Sequence, residues 1–270
     1  MGYFWVPFFG VPNTLTGTKR PNNTVQAITE ISYSVKSNYN ALVVALNRRF
    51  YQSFQIQSSF TWSRANDFGQ ASQTFTATNN VLNPFDLQGE YSRSNFDIRD
   101  RFSFAAIWSP NYYRGGNRWL GYLANGFTVS PLIIASSGAP FTPAVSGSAP
   151  SQTINGVTYV APQGATGNSL DDGGTTRVPF LGANSFQMPR TVNVDLRIAK
   201  EFKIWESWKL MLSGDAFNLF NHDNFTSVDT QMFTIAGTNL NFNSHFGVPT
   251  QSSNSLIAQR QIQIGAKITF

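Results

Sequence analysis

The sequence predicts an all-β fold: an antiparallel transmembrane β-barrel, here a partial barrel of about eight strands with short periplasmic turns and long extracellular loops. Three observations point there. The last eleven residues, Arg260-Gln-Ile-Gln-Ile-Gly-Ala-Lys-Ile-Thr-Phe270, alternate without a break. Ile262, Ile264, Ala266, Ile268 and Phe270 fall on one face of a strand, and Gln261, Gln263, Gly265, Lys267 and Thr269 on the other. Charged residues make up only 12% of the chain, about half the usual share, while aromatics reach 14%. Finally, the segments between alternating runs are short and long by turns, as in a barrel whose long loops lie outside the cell. A strand of about ten residues with one apolar face has the length to cross a thin bilayer, so the expected location is the outer membrane of a Gram-negative bacterium.

Mean hydropathy is slightly negative, and no apolar run approaches the ~18 residues of a membrane helix. A barrel reconciles few charges with low hydropathy, because lipid-facing and water-facing residues alternate. The net charge of +5 is scattered along the chain, with no basic stripe for nucleic acid. The absence of cysteine excludes disulfide scaffolds, thiol catalysis and cysteine-ligated metals. The segment Met1-Gly-Tyr-Phe-Trp-Val-Pro-Phe-Phe-Gly10 lacks a positive start and is interrupted by two prolines, which makes it a poor export signal. An exported wall without a leader is expected to be a piece of something longer.

In chain order, the alternating elements begin with a weak one at 27–34 and a more uniformly apolar one at 39–50. In 53–63, Phe54, Ile56, Phe60 and Trp62 oppose Gln55, Gln57, Ser59 and Thr61. In 97–108, Ile98, Phe102, Phe104 and Trp108 oppose Asp97, Arg99, Arg101 and Ser103. The run 127–135 is again uniformly apolar. In 191–204, Val192, Val194, Leu196, Ile198, Phe202 and Ile204 oppose Thr191, Asn193, Asp195, Arg197, Glu201 and Lys203, with Lys200 the one charge on the apolar face. In 208–220, Trp208, Leu210, Leu212 and Ala216 oppose Lys209, Ser213 and Asp215. Short turns are expected near Tyr51-Gln52, Gly115-Gly116 and Trp205-Glu206-Ser207. Long loops are expected at 66–95, 140–189 and 221–258, the middle one without strand period. Residues 1–36 form a poorly assigned segment with one possible strand, and 37–270 the barrel.

Partners across a ladder share parity. The turn 205–207 sets Ile204 opposite Trp208, which puts Arg197 opposite Asp215 as an ion pair in the lumen wall. The same register sets Lys203 opposite Lys209, unfavourable unless water or a carboxylate such as Glu201 intervenes. Trp62, Trp108, Trp205 and Trp208 lie at strand ends and form an expected aromatic girdle at headgroup level.

Several segments resemble the C-terminal barrel of TonB-dependent receptors, in particular the large Oar-like receptors with a carboxypeptidase-regulatory-like domain. They are Ser37-Asn-Tyr-Asn-Ala-Leu42 leading to Arg48-Arg-Phe50, Phe60-Thr-Trp-Ser-Arg-Ala-Asn66, Phe96-Asp-Ile-Arg-Asp-Arg-Phe102 and Ser137-Gly-Ala-Pro-Phe-Thr-Pro143. Asn193-Val-Asp-Leu-Arg197, Asp215-Ala-Phe-Asn-Leu-Phe-Asn221 and the terminal strand complete them, so that the likeness covers nearly all of 37–270. The resemblance implies a plugged barrel of about 22 strands that imports a bulky solute. No plug, TonB box or regulatory-like domain is recognisable in this chain. The TonB system would therefore be reached only through a missing N-terminal part, and the ligand stays unknown. The alternative is an autonomous eight-stranded outer-membrane barrel with a structural or adhesion role. A soluble carbohydrate-binding sandwich fits least, because it would leave an apolar girdled face in water. The terminal strand, through Ile262, Ile264, Ile268 and Phe270, also resembles the signal read by the barrel-assembly machinery. An unpaired edge can add to another sheet, and alternate side chains then give specificity.

No enzyme chemistry is expected. His222 and His245 sit in loops without a third metal ligand at useful spacing. Asp171-Asp172-Gly-Gly174 lacks the spaced oxygens of a calcium loop. Asp97, Asp100, Asp195 and Asp215 each have arginine or lysine close in sequence or across the ladder, which suits a wall network better than an acid–base pair. No cofactor is implied, and the expected partners are outer-membrane lipid and the assembly machinery.

Overall fold

The computed structural model describes residues 36–68, 87–148, 152–154, 157–159, 178, 180–205, 207–236, 239–252 and 259–270. Seven long strands make the wall: β1 (Asn38–Tyr51), β2 (Phe54–Asp67), β3 (Asp100–Trp108), β4 (Phe127–Ser136), β5 (Thr191–Lys203), β6 (Lys209–Phe217) and β7 (Gln261–Thr269). Each pairs antiparallel with the next, and a two-residue strand, Ser92–Arg93, prolongs the ladder beside β2 as the eighth member. Among the described residues β1 and β7 pair with no further strand, so the wall is an open antiparallel sheet, a partial barrel. The weak element at 27–34 and Asp171-Asp172 lie outside the described residues.

The register carries one face across the whole wall. Val44 lies opposite Phe60, Phe60 opposite Phe102, Phe102 opposite Ala135 and Ala135 opposite Val192. Leu196 then lies opposite Ala216, and Ala216 opposite Ile262. A slip of one residue anywhere would turn a strand's apolar set to the other face, so burial in lipid specifies this pairing. Large apolar groups stand open on this face, Ile264 being 85% exposed. Buried apolar residues among those described are few and small, mainly alanine and valine. The wall has no packed interior of its own, as befits a sheet whose apolar face meets lipid.

The three turns at one end differ in kind. Gln52 and Ser53 both have positive φ (50° and 69°) and join β1 to β2 in a two-residue hairpin whose twist matches the strands. The Ile204 amide donates to the Trp208 carbonyl at 2.9 Å, closing the β5–β6 hairpin in the expected register. The connection around Gly115-Gly116, expected to be a short turn, instead runs from 109 to 126 and contains the helix α1 (Arg118–Ala124). Asn117 caps it, its side chain accepting from the Trp119 and Leu120 amides, and Gly126 ends it at φ 82°. A side chain at Gly126 would meet the Glu201 carbonyl at 2.7 Å, so the turn needs glycine twice over.

At the opposite end the long connections are built rather than featureless, which corrects the expectation for 140–189. Ala144–Ser148 pairs parallel with Gln231–Ala236, which pairs antiparallel with Asn239–Phe242. Pro140–Phe141 pairs with Phe186–Gln187, Gln152–Ile154 with Val157–Tyr159, and Phe225–Val228 with Pro249–Ser252. Strands this short show no readable alternation, and most of their partners lie far away in sequence. Phe141, Phe186 and Phe246 cluster between these small sheets, with ring centroids 4.9–5.8 Å apart.

Candidate functional site

Among the described residues the polar face carries most of the charge of the wall. It is built by the parity set of Gln55, Gln57, Ser59, Arg101, Asp195, Arg197, Asp215 and Lys267. Arg197 and Asp215 are direct partners in the β5–β6 ladder, with Arg197 Nη1 3.5 Å from Asp215 Oδ1. Lys203 does lie opposite Lys209, and Lys209 Nζ turns to Glu201 Oε1 at 3.0 Å. That carboxylate offsets the like-charge pair. Hydroxyls also meet across strands here, Ser59 with Ser103 and Ser136 with Thr191, both at 2.8 Å. Asp195 departs from the expected cation pairing. It accepts from the Asn193 side chain and the Asn218 amide, both at 2.9 Å, because the chain folds back behind β6 at Asn218.

The aromatic set divides between two levels. Trp108 lies opposite Phe54 beside the first hairpin, with Trp205 and Trp208 in and after the third. Trp62 lies eight residues further along β2, opposite Asp100, a distance of about 27 Å along the strand. With the usual tilt this spans most of an apolar band ~25 Å tall. Trp208 also stacks on Phe270, with centroids 5.4 Å apart. Ile262, Ile264 and Ile268 share the apolar face of β7, opposite Ala216, Gly214 and Leu210.

Where the long loops leave the wall, a buried polar cluster ties them down; Asp97 has the nearby arginines expected of it, while the parts played by Asn184 and Asn224 are absent from the sequence expectations. Asp97 is 1% exposed and accepts from the Ala65 amide at 2.7 Å, from Arg93 Nε, and from Arg99 Nε at 3.3 Å. Burial alone would raise its pKa, but the Ala65 amide and the two guanidiniums outweigh burial and hold the carboxyl below its ordinary value. Asn184, left-handed at φ 57°, joins two distant loops: its side-chain amide donates to the Arg93 carbonyl at 2.8 Å and to Asn95 at 2.7 Å. Its own amide donates to Thr142 Oγ1 at 2.9 Å. Asn224 satisfies both backbone groups of Val192, at 2.7 and 3.0 Å, as a neighbouring strand would. Asp100 pairs with Arg190 at 2.9 Å.

His222 and His245 are exposed loop residues, and no group of three residues able to hold a metal occurs among the described residues. Lys200, the charge on the apolar side of β5, is covered: its ammonium donates to the Tyr122 and Leu123 carbonyls at 3.0 Å each, and to that of Asn125. Those carbonyls belong to the end of α1, where a cation is favourable.

An antiparallel wall with one continuous apolar face, tryptophans at both of its margins and long loops at one end is the geometry of a protein that crosses the outer membrane as strands. Comparison with known families agrees: the model of an outer membrane beta barrel domain matches residues 10–263. No curated protein matches the chain. The chain belongs to the outer membrane beta barrel domain family, and its place is the outer membrane.

Proposed function

We propose that this chain is a wall segment of a TonB-dependent outer-membrane receptor that takes up a bulky solute, without catalysis of its own. The observation that carries the proposal is the open wall: among the described residues β1 and β7 have no further strand beside them. An unpaired backbone edge in hydrocarbon is too costly to persist, and in this reading further strands complete the ladder. A wider barrel leaves its polar face to water and solute, and that face here carries ion pairs rather than tight packing. The built crown of small sheets and phenylalanines provides the first contact for ligand. The same reading gives Ile262, Ile264, Ile268 and Phe270 the assembly-signal role and leaves TonB coupling to a plug outside this chain.

The test is uptake by cells with and without the gene, offered iron chelates, oligosaccharides and peptides, before and after a protonophore. Gene-dependent uptake that stops when the proton gradient collapses supports energised import. Loss of surface adhesion on deletion, with uptake of every solute unchanged, would instead support the structural barrel.

A further inference from the structure

Helix α1 does not hang free below the wall; it lies across the apolar face. Lys200 and Phe202 belong to that face by register, opposite Leu212 and Leu210. The end of α1 closes over both. Lys200 binds the Tyr122, Leu123 and Asn125 carbonyls while lying 4.0 Å from the centroid of Phe127, and Tyr122 packs on Phe202 at 5.7 Å. Lys200, 9% exposed, thus fixes the helix at the level of Trp205 and Trp208.

The helix surface turned away from the wall is apolar. Trp119 is 78% and Leu123 65% exposed, and Leu120 is open beside them. Arg114 and Arg118 are exposed at its start. An apolar helix side with arginines, joined to a wall face that already meets lipid, is the pattern of an interfacial helix. We propose that α1 is a membrane-interface anchor seated in the periplasmic leaflet, with Trp119, Leu120 and Leu123 at the headgroup–acyl boundary and Arg114 and Arg118 on phospholipid phosphates. Continuity with the lipid-facing wall selects phospholipid over a protein partner: the neighbouring surface at that depth is bilayer. Guanidinium suits phosphate because its fork can donate twice.

The chain has no cysteine, so Leu123→Cys in the otherwise intact protein accepts a single nitrobenzoxadiazole probe. The labelled protein is reconstituted in phosphatidylcholine–phosphatidylglycerol vesicles containing headgroup-, 5- or 12-doxyl lipid, and folding is checked by heat-modifiable gel migration. Trp119→Cys serves as an independent second position and Asn241→Cys, in a long loop, as the aqueous reference. The expected result is a probe about 5–10 Å below the headgroups, quenched most by 5-doxyl lipid and shielded from iodide. The double change Arg114→Gln with Arg118→Gln should remove the deepening that phosphatidylglycerol gives over phosphatidylcholine alone. Iodide access equal to that of Asn241→Cys would overturn the proposal. So would shielding from both iodide and every doxyl lipid, which would mean that protein covers the helix.

Discussion

Arg197 and Asp215 face each other across the β5–β6 ladder, with Nη1 3.5 Å from Oδ1, and Arg197 remains about half exposed. An ion pair this open to water contributes little: about 0.2–1 kcal/mol of coupling. A double-mutant cycle with Arg197→Ala and Asp215→Ala, read by urea unfolding in vesicles, should give that range and shrink in high salt. The pair keeps the polar face polar more than it holds the wall together.

Asp97 should matter far more. Replacing it with Asn leaves Arg93 largely buried without its carboxylate, at a cost of about 3 kcal/mol. The pH dependence follows from its lowered pKa. A folded value below the unfolded one adds stability that is complete above the ordinary carboxyl value of 3.8 and is lost as pH falls from there through the folded value. Pepsin cleavage within 87–99 should therefore rise below that pH in the parent. In Asp97→Asn it should be high already, with no further dependence in that window.

The β1–β2 hairpin carries a removable strain. Gln52 and Ser53 both occupy left-handed backbone that non-glycine residues adopt at a cost. Gln52→Asn with Ser53→Gly suits a type I′ turn and should stabilise the wall by roughly 1 kcal/mol. An unchanged urea midpoint would show that the turn relaxes in the membrane.

Phe270 separates assembly from stability. Its ring is 84% exposed and touches Trp208, so Phe270→Ala should leave the unfolding midpoint nearly unmoved, within about 1 kcal/mol. If the terminal strand is the assembly signal, the same change should slow folding by purified assembly machinery in proteoliposomes several-fold. Equal rates would remove Phe270 from that role.

The wall was legible in the sequence because its strands obey one local rule. With the turn at 205–207 in place, parity alone puts Arg197 opposite Asp215 and Lys203 opposite Lys209, and points to Glu201 as the offsetting carboxylate. What escaped depends on distance along the chain. Asn184 meets Arg93 and Asn95, and Ser146 meets Thr234, across 88 to 91 residues with no pattern to announce them. Asp195 took amide partners because Asn218 turns the chain back on it, a consequence of a left-handed residue that composition does not mark. Helix α1 was hidden differently. Gly115-Gly116 reads as a turn, while the cap at Asn117 and the stop at Gly126 bracket a helix too short to show a period. Lys200, which broke the alternation of β5, was the local sign that something covers that face.

The central claim is that one parity set of the wall meets lipid and the other meets water. Single cysteines at 261–269, spin-labelled in the membrane-inserted protein, test it most directly, because β7 side chains are exposed and tolerate a label. Accessibility to oxygen, which partitions into lipid, should peak at 262, 264, 266 and 268, and accessibility to a polar nickel chelate at 261, 263, 265 and 267, with a period of two. A profile without that alternation, or with the two phases exchanged, would contradict the account.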